Sequence, residues 1–369
     1  MRPVRLIIVG GFLGSGKTTA LSSLARHFTE QKLRVGIITN DQGENLVDTH
    51  LVKVEGFNVK EVTGGCFCCR LTDFTDVGEQ LLNQFFPDVI LAEPVGSCTD
   101  LVATVIQPLK MYAKDDYAID PFTVLVDPLR AKEIVLSGGT GGFSDNVTYI
   151  FRKQLEEADI IGLNKIDTLN AQQRQEILAT LKKRYPQANV MGISALTGEG
   201  FRFWLSALEA KGAFGRNIAE VDYEVYATGE AELAWLNFVA DLSSSAEFDG
   251  DAFLVNFTEH IRQGLARISA EAAHLKLALS TTKGSSVINL VSTHSPARLS
   301  LKRAGRIKEG HLIVNARVHT DPETLRNIVT SGLMDLSQQQ SVAAKIKSVQ
   351  SFRPGRPVPV HRFKKIASR

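Results

Sequence analysis

Three of the four cysteines, Cys66, Cys68 and Cys69, fall within four positions of the chain. Three soft thiolates so placed suit Zn²⁺, Cu⁺ or a borderline ion such as Co²⁺. Adjacent Cys68 and Cys69 can hardly bridge each other without backbone strain, so the layout is a poor disulfide framework. Cys66 and Cys68 point the same way in an extended segment. Cys69 joins them only if the chain turns, which Gly64 and Gly65 just upstream permit. Three protein ligands leave one coordination position open, whereas structural zinc sites are typically closed by four. A receiving ligand needs such an opening. Redox chemistry and a static zinc staple are the competing readings. Cys98 is either a fourth thiolate in one state of the protein or a small buried residue.

A second chemical element precedes the cysteines. The stretch GFLGSGKTT, Gly11 to Thr19, fits the phosphate-loop pattern at Gly11, Gly16, Lys17 and Thr18. It follows the apolar run Arg5–Val9 and opens an amphipathic segment, the strand, loop and helix context that the pattern needs. Backbone N–H groups from Gly11 through Gly14, Ser15 and Gly16 to Thr19 would cradle phosphates at a helix N-terminus. Lys17 would reach the β- and γ-phosphates and act in catalysis, and the Thr18 hydroxyl would ligate Mg²⁺. Glu93, in Glu93-Pro94-Val95-Gly96 at a strand tip, would hold Mg²⁺ or the attacking water. Asp41, a catalytic candidate, and Glu44 lie in a polar stretch where a nucleotide switch loop would sit; ordinary turn residues are the alternative.

The base is read from Asn164-Lys165-Ile166-Asp167. A carboxylate at Asp167 accepts both N1–H and the 2-amino group of guanine, a donor pair that adenine lacks. One strand later, Ser194 and Ala195 mark where a backbone N–H would meet guanine O6. The expected triphosphate is GTP.

The elements that must position these groups are legible in outline. Short β-branched runs alternate with amphipathic segments through the first half, as in an α/β domain with a mostly parallel sheet covered by helices. This phosphate-loop domain is expected over 1–212. From 221 to 350 alternating runs and two helical stretches suggest a smaller α+β domain, ferredoxin-like, with one antiparallel sheet and helices on one face. Residues 351–369 form a basic, Pro-containing tail that reads as a contact for an acidic partner or as a solvated terminus. With 369 residues and net charge +2, neither nucleic acid nor membrane is expected as a partner. The sequence runs almost at once into a strand, leaving no room for a secretory leader, and no apolar run reaches membrane-span length. A cytoplasmic location is the expectation.

GFLGSGKTT, GGCFCC, the glutamate-led EPVG and NKID, in this order, resemble the CobW-type GTPases, grouped with the HypB and UreG nickel-delivery proteins. The likeness covers Arg5 to Leu208, with smaller echoes in NDQGE and in QLEEAD before NKID. It implies a metallochaperone driven by GTP hydrolysis, with Lys17, Thr18, Glu93, Asn164, Lys165 and Asp167 serving the nucleotide. Cys66, Cys68 and Cys69 would bind the transition metal, zinc first and cobalt next, for a client metalloprotein. A regulatory GTPase that chaperones a cobalamin-dependent enzyme or cobalt chelatase is the rival reading, and a nucleotide-dependent dimer stays open. Three departures stand out: the second half has no histidine-rich stretch, it lacks the usual CobW-type C-terminal sequence pattern, and Pro94-Val95 stand where the family often has serine or threonine.

Overall fold

The computed structural model describes residues 3–40, 47 and 56–366. Asp41 and Glu44 lie outside the described residues. The chain divides into two compact units: Met1–Gln42, Leu51–Gly229 and Arg356–Arg369 form one, Gly43–His50 and Glu230–Gly355 the other.

In the first unit the strands are β1 (Val4–Gly11), β2 (Val35–Asn40), β3 (Asn58–Val62), β4 (Val89–Glu93), β5 (Tyr117–Ile119), β6 (Thr123–Val126), β7 (Ile160–Leu163) and β8 (Asn189–Gly192). They lie in the order β3-β2-β4-β1-β6-β7-β8, with β5 also paired to β1, and every pairing is parallel. The strands β2, β4, β6 and β7 are buried along their whole length, as continuous apolar runs in a sheet covered on both faces must be. Parallel pairing brings all their C-terminal ends to one edge, where ligands bind in open α/β sheets. The helix α1 (Lys17–Glu30) buries Leu21, Leu24, Ala25 and Phe28, spaced to form one helical face. Helix α2 (Leu71–Gln84) follows the cysteines, and α3 (Asp145–Glu156) precedes β7.

The second unit follows the order β9 (Leu233–Asp249), α4 (Gly250–Arg267), β10 (Glu271–Thr281), β11 (Gly284–Leu290), β12 (Arg298–Leu301), β13 (Arg306–His319), α5 (Pro322–Gln340) and β14 (Ala343–Phe352). Its sheet, ordered β12-β11-β10-β13-β9-β14, is antiparallel throughout. Without β11 and β12 the order is the β-α-β-β-α-β of a ferredoxin-like fold. Phe253, Phe257 and Ile261 of α4 and Leu325, Val329 and Leu333 of α5 share one core with Phe238, Leu277 and Val314 of the sheet, so both helices lie on one face. Among the described residues, no helix is long and apolar enough to cross a membrane.

Phe257 is fully buried at the centre of this core. Phe257→Ala should destabilise the second unit by about 3–5 kcal/mol, read as a shift of its denaturation midpoint.

Candidate functional site

The phosphate loop leaves β1 at its C-terminal end. At Gly11, φ is +132°, and an added Cβ would stand 2.3 Å from the Leu125 carbonyl oxygen. At Gly16, φ is +90°, and a Cβ would meet Asn164 Nδ2 at 2.5 Å. Both positions therefore require glycine. Buried Lys17 folds its ammonium back on the loop, donating to the carbonyl oxygens of Gly11 at 2.9 Å and Phe12 at 3.4 Å. The Ser15 hydroxyl is buried and has no hydrogen-bond partner among the described residues, as a group kept for a phosphate oxygen would be. Thr18 Oγ1 donates to Glu93 Oε1 at 3.2 Å. A hydroxyl and a carboxylate so placed are the hard oxygen ligands that Mg²⁺ takes. Thr19 is exposed on the first turn of α1. Gly96 closes the approach: a side chain there would press on Leu13 and on Lys17 Nζ.

The NKID segment braces this loop as well as facing outward. Asn164 Nδ2 donates to the Ser15 carbonyl at 2.8 Å, and Asn164 Oδ1 accepts from the Ala195 N–H at 2.9 Å. Lys165, in the left-handed region at φ 57°, reaches Gly14 O at 2.7 Å and Asp127 Oδ2 at 2.6 Å. The Asp167 side chain is exposed, with Oδ1 held by the Ser194 hydroxyl at 2.6 Å. The backbone N–H groups of Ser194 and Ala195 are both engaged within the protein, with Glu199 O and Asn164 Oδ1.

The cysteines occupy a tight turn ahead of α2. The Cys66 carbonyl accepts the N–H groups of Cys69 at 3.0 Å and Arg70 at 2.9 Å, the turn that Cys69 needs to join the other two. Sulfur separations are 2.7 Å for Cys66–Cys68, 3.3 Å for Cys66–Cys69 and 3.8 Å for Cys68–Cys69. A tetrahedral zinc site with Zn–S near 2.3 Å has edges of about 3.8 Å. The Cys68–Cys69 edge already fits, whereas Cys66–Cys69 would have to lengthen by about 0.5 Å and Cys66–Cys68 by about 1.1 Å to admit an ion. Hydrogen bonds with Cys68, Cys69 and Cys98 hold the Cys66 thiol well below its usual range. The bond with Cys66 pushes Cys68 well up and Cys69 to about 11. An ion held by all three sulfurs would have to displace protons from Cys68 and Cys69. The buried Cys98 thiol interacts with Cys66 and Cys68, although the three sulfurs that lie within 4.8 Å of one another are those of Cys66, Cys68 and Cys69.

Two residues of the site carry little signal in the sequence. Asn40 ends β2 and is buried; its Nδ2 donates to Val62 O at 2.9 Å and Gly65 O at 2.7 Å, and its Oδ1 accepts the Phe67 N–H at 2.9 Å. It pins the cysteine turn to the strand that leads toward Asp41. Asp127, at the tip of β6, pairs with Lys165. Its one sequence cue was its place at a strand end, before Pro128.

Residues 5–191 match the family model described as CobW/HypB/UreG, nucleotide-binding domain. The zinc chaperone YeiR of Escherichia coli K12 is 32% identical over 180 residues, 47% of this chain and 50% of that protein. The zinc chaperone YjiA of the same strain is 30% identical over 195 residues, 50% of this chain and 57% of that protein. The chain thus spans about half the length of the curated relatives it matches. Zn(II)-bound YjiA GTPase from E. coli overlays on 90% of this chain and 99% of that one, at 16% identity and a TM-score of 0.39. With the family model matched over half of its length, and the phosphate loop, Glu93 and NKID gathered at one sheet edge, this chain belongs to the CobW/HypB/UreG family.

Proposed function

We propose that this chain is a GTP-hydrolysing zinc metallochaperone, holding the ion on Cys66, Cys68 and Cys69 and yielding it to a client metalloprotein. The observation that most supports this reading is where the thiol cluster sits. Asn40, ending β2, grips the turn from one side. Cys98, on the loop leaving Glu93, lies against it from the other. The two segments that run from the nucleotide edge toward the γ-phosphate thus both touch the cargo site. Relatives named zinc chaperones favour zinc over cobalt, which the same thiolates would also accept.

In this reading Asp167 selects guanine, and Asn164 and Lys165 keep the phosphate loop in shape. Lys17 turns from its own loop to the β- and γ-phosphates. Thr18 and Glu93 would hold Mg²⁺, which when bound neutralises charge on the β- and γ-oxygens. Glu93 also orients the attacking water; Asp41, outside the described residues, is the further acidic candidate. Loss of the γ-phosphate shifts the segment after β4, which carries Cys98, and distorts the thiol geometry. Swinging occupancy from nearly full to nearly empty takes about 5.5 kcal/mol of differential affinity.

A zinc titration with a non-hydrolysable GTP analogue and with GDP tests the coupling. Full coupling gives affinities differing by on the order of 10⁴-fold; equal affinities would remove it. Lys17→Ala should abolish turnover, and Asp167→Asn should relax the preference for GTP over ATP in competition binding. Asn40→Ala leaves every thiol in place yet should weaken zinc binding by about 10–100-fold, as loss of an outer-shell support does.

A further inference from the structure

The basic C-terminal segment runs along the first unit and crosses the cysteine turn. The Val358 N–H donates to Cys69 Sγ at 3.1 Å, and the Val360 N–H donates to the Cys68 carbonyl at 3.0 Å. Phe363 N–H then meets Ala103 O at 2.9 Å. Between these contacts Arg362 reaches the fully buried Asp100 side chain, with Nε to Oδ2 at 2.6 Å and Nη2 to Oδ1 at 3.4 Å. Arg362 Nη2 also donates to Ala219 O at 3.1 Å, and Tyr223 Oη donates to Asp100 Oδ2 at 2.7 Å. Pro357 is buried, and the rings of His361 and Phe363 sit beside Tyr112.

We infer that residues 358–363 are a strap over the metal site, fastened by the Arg362–Asp100 latch, whose release precedes hand-over of the ion. The inference rests on reading Cys66, Cys68 and Cys69 as the cargo site. Three features carry it. First, the strap delivers a backbone N–H directly to the most exposed of the three thiols; a donor there stabilises a thiolate and helps retain a bound ion. Second, the strap is built to come away. Val358 is 70% exposed and Val360 46%, so little apolar surface holds it down. Its hold is a few backbone hydrogen bonds, the Arg362–Asp100 ion pair, buried Pro357 and the ring contacts with Tyr112. Third, the latch stands on the segment that leaves Glu93. Asp100 lies two residues beyond Cys98, and Gln154 and Glu157 of the α3 region fasten that segment through Gly96 O, Cys98 O, Thr99 Oγ1 and the Val102 N–H. A shift that follows hydrolysis therefore reaches the strap through Asp100 and the thiols through Cys98. The strap contacts Cys69 Sγ and the Cys68 carbonyl, so a client that takes the ion from Cys69 must displace it.

The test uses the full chain loaded with zinc, with transfer to a chromophoric pyridylazo chelator followed by stopped flow. Val358→Pro removes one N–H and a mostly exposed side chain from the strap, between two existing prolines. It should speed transfer about tenfold, as loss of an outer-shell donor does. Arg362→Ala should do the same and Arg362→Lys should restore part of the retention, whereas Lys365→Ala should change nothing. In the metal-free chain, Arg362→Ala, which keeps the Val358 N–H that favours the thiolate, should also speed alkylation of Cys69 by uncovering it, read by mass spectrometry, which needs no metal at all. Transfer rates within about twofold of the unaltered chain's for both variants, smaller than any outer-shell effect, or an alkylation rate equally unchanged in Arg362→Ala, would overturn the strap. An unaltered chain that retained no zinc would overturn the metallochaperone reading and the strap with it.

Discussion

The cysteine turn of this protein depends on the side-chain amide of one buried residue. Asn40 donates twice and accepts once, and all three partners lie in or beside the cysteine turn. No other small side chain can do this: aspartate has no donor, and serine has one where two are needed. The alternative is a buried carbonyl at Val62 and a buried N–H at Phe67 without partners, each a cost of about 1–3 kcal/mol. The ring of Phe67, fully buried against Phe74 with centroids 4.7 Å apart, fixes the same turn to α2. Clamped by an amide on one side and a ring on the other, the turn keeps its three sulfurs together without help from a disulfide.

That proximity creates its own electrostatic problem. Sulfurs 2.7 to 3.8 Å apart cannot all carry charge unless a cation stands among them. The protons are shared unequally, with Cys66 ready to ionise and Cys68 and Cys69 resisting. Loading an ion and expelling protons are then one event, and any group that favours thiolate also favours retention. The Val358 N–H belongs to that class of group.

What the sequence made legible follows from how each signal is encoded. The phosphate loop, NKID and the cysteine triplet are local patterns, and the structure gathers the two nucleotide motifs at one sheet edge as a parallel sheet demands. The ferredoxin-like order of the second unit was legible from alternation in β9, β10 and β13, which bury one face on the helices. By contrast β14 was not seen. It is an edge strand, Ala-Ala-Lys-Ile-Lys-Ser-Val-Gln-Ser-Phe, with a register shift between Ile346 and Ser348, and its lysines protect the edge while blurring the pattern. Asn40 and Asp127 escaped because their roles are set by partners far along the chain, Gly65 and Lys165. The tail escaped for the same reason. Its composition speaks of solvent, but its backbone N–H groups and Arg362 have partners more than two hundred residues upstream. The N–H groups of Ser194 and Ala195 show the converse: position suggested a base contact, and Glu199 and Asn164 already hold both.

The interior of the first unit leaves few ways to carry a signal from nucleotide to metal. Its central strands are buried along their length and packed as interiors are, so they do not deform by the fractions of an ångström that a lost phosphate would ask. Movement must therefore run in the segments beyond the strand ends. After β4 that segment is not free to flex residue by residue. Gln154 holds Gly96 and Cys98 together, and Glu157 holds Thr99 and Val102, so the stretch from Gly96 to Val102 moves with α3 or not at all. A single displacement of this stretch shifts the Cys98 thiol and the Asp100 carboxylate together. The contact beneath the cluster and the latch at its rim cannot then respond independently, which is how one hydrolysis could loosen an ion from below and uncover it from above.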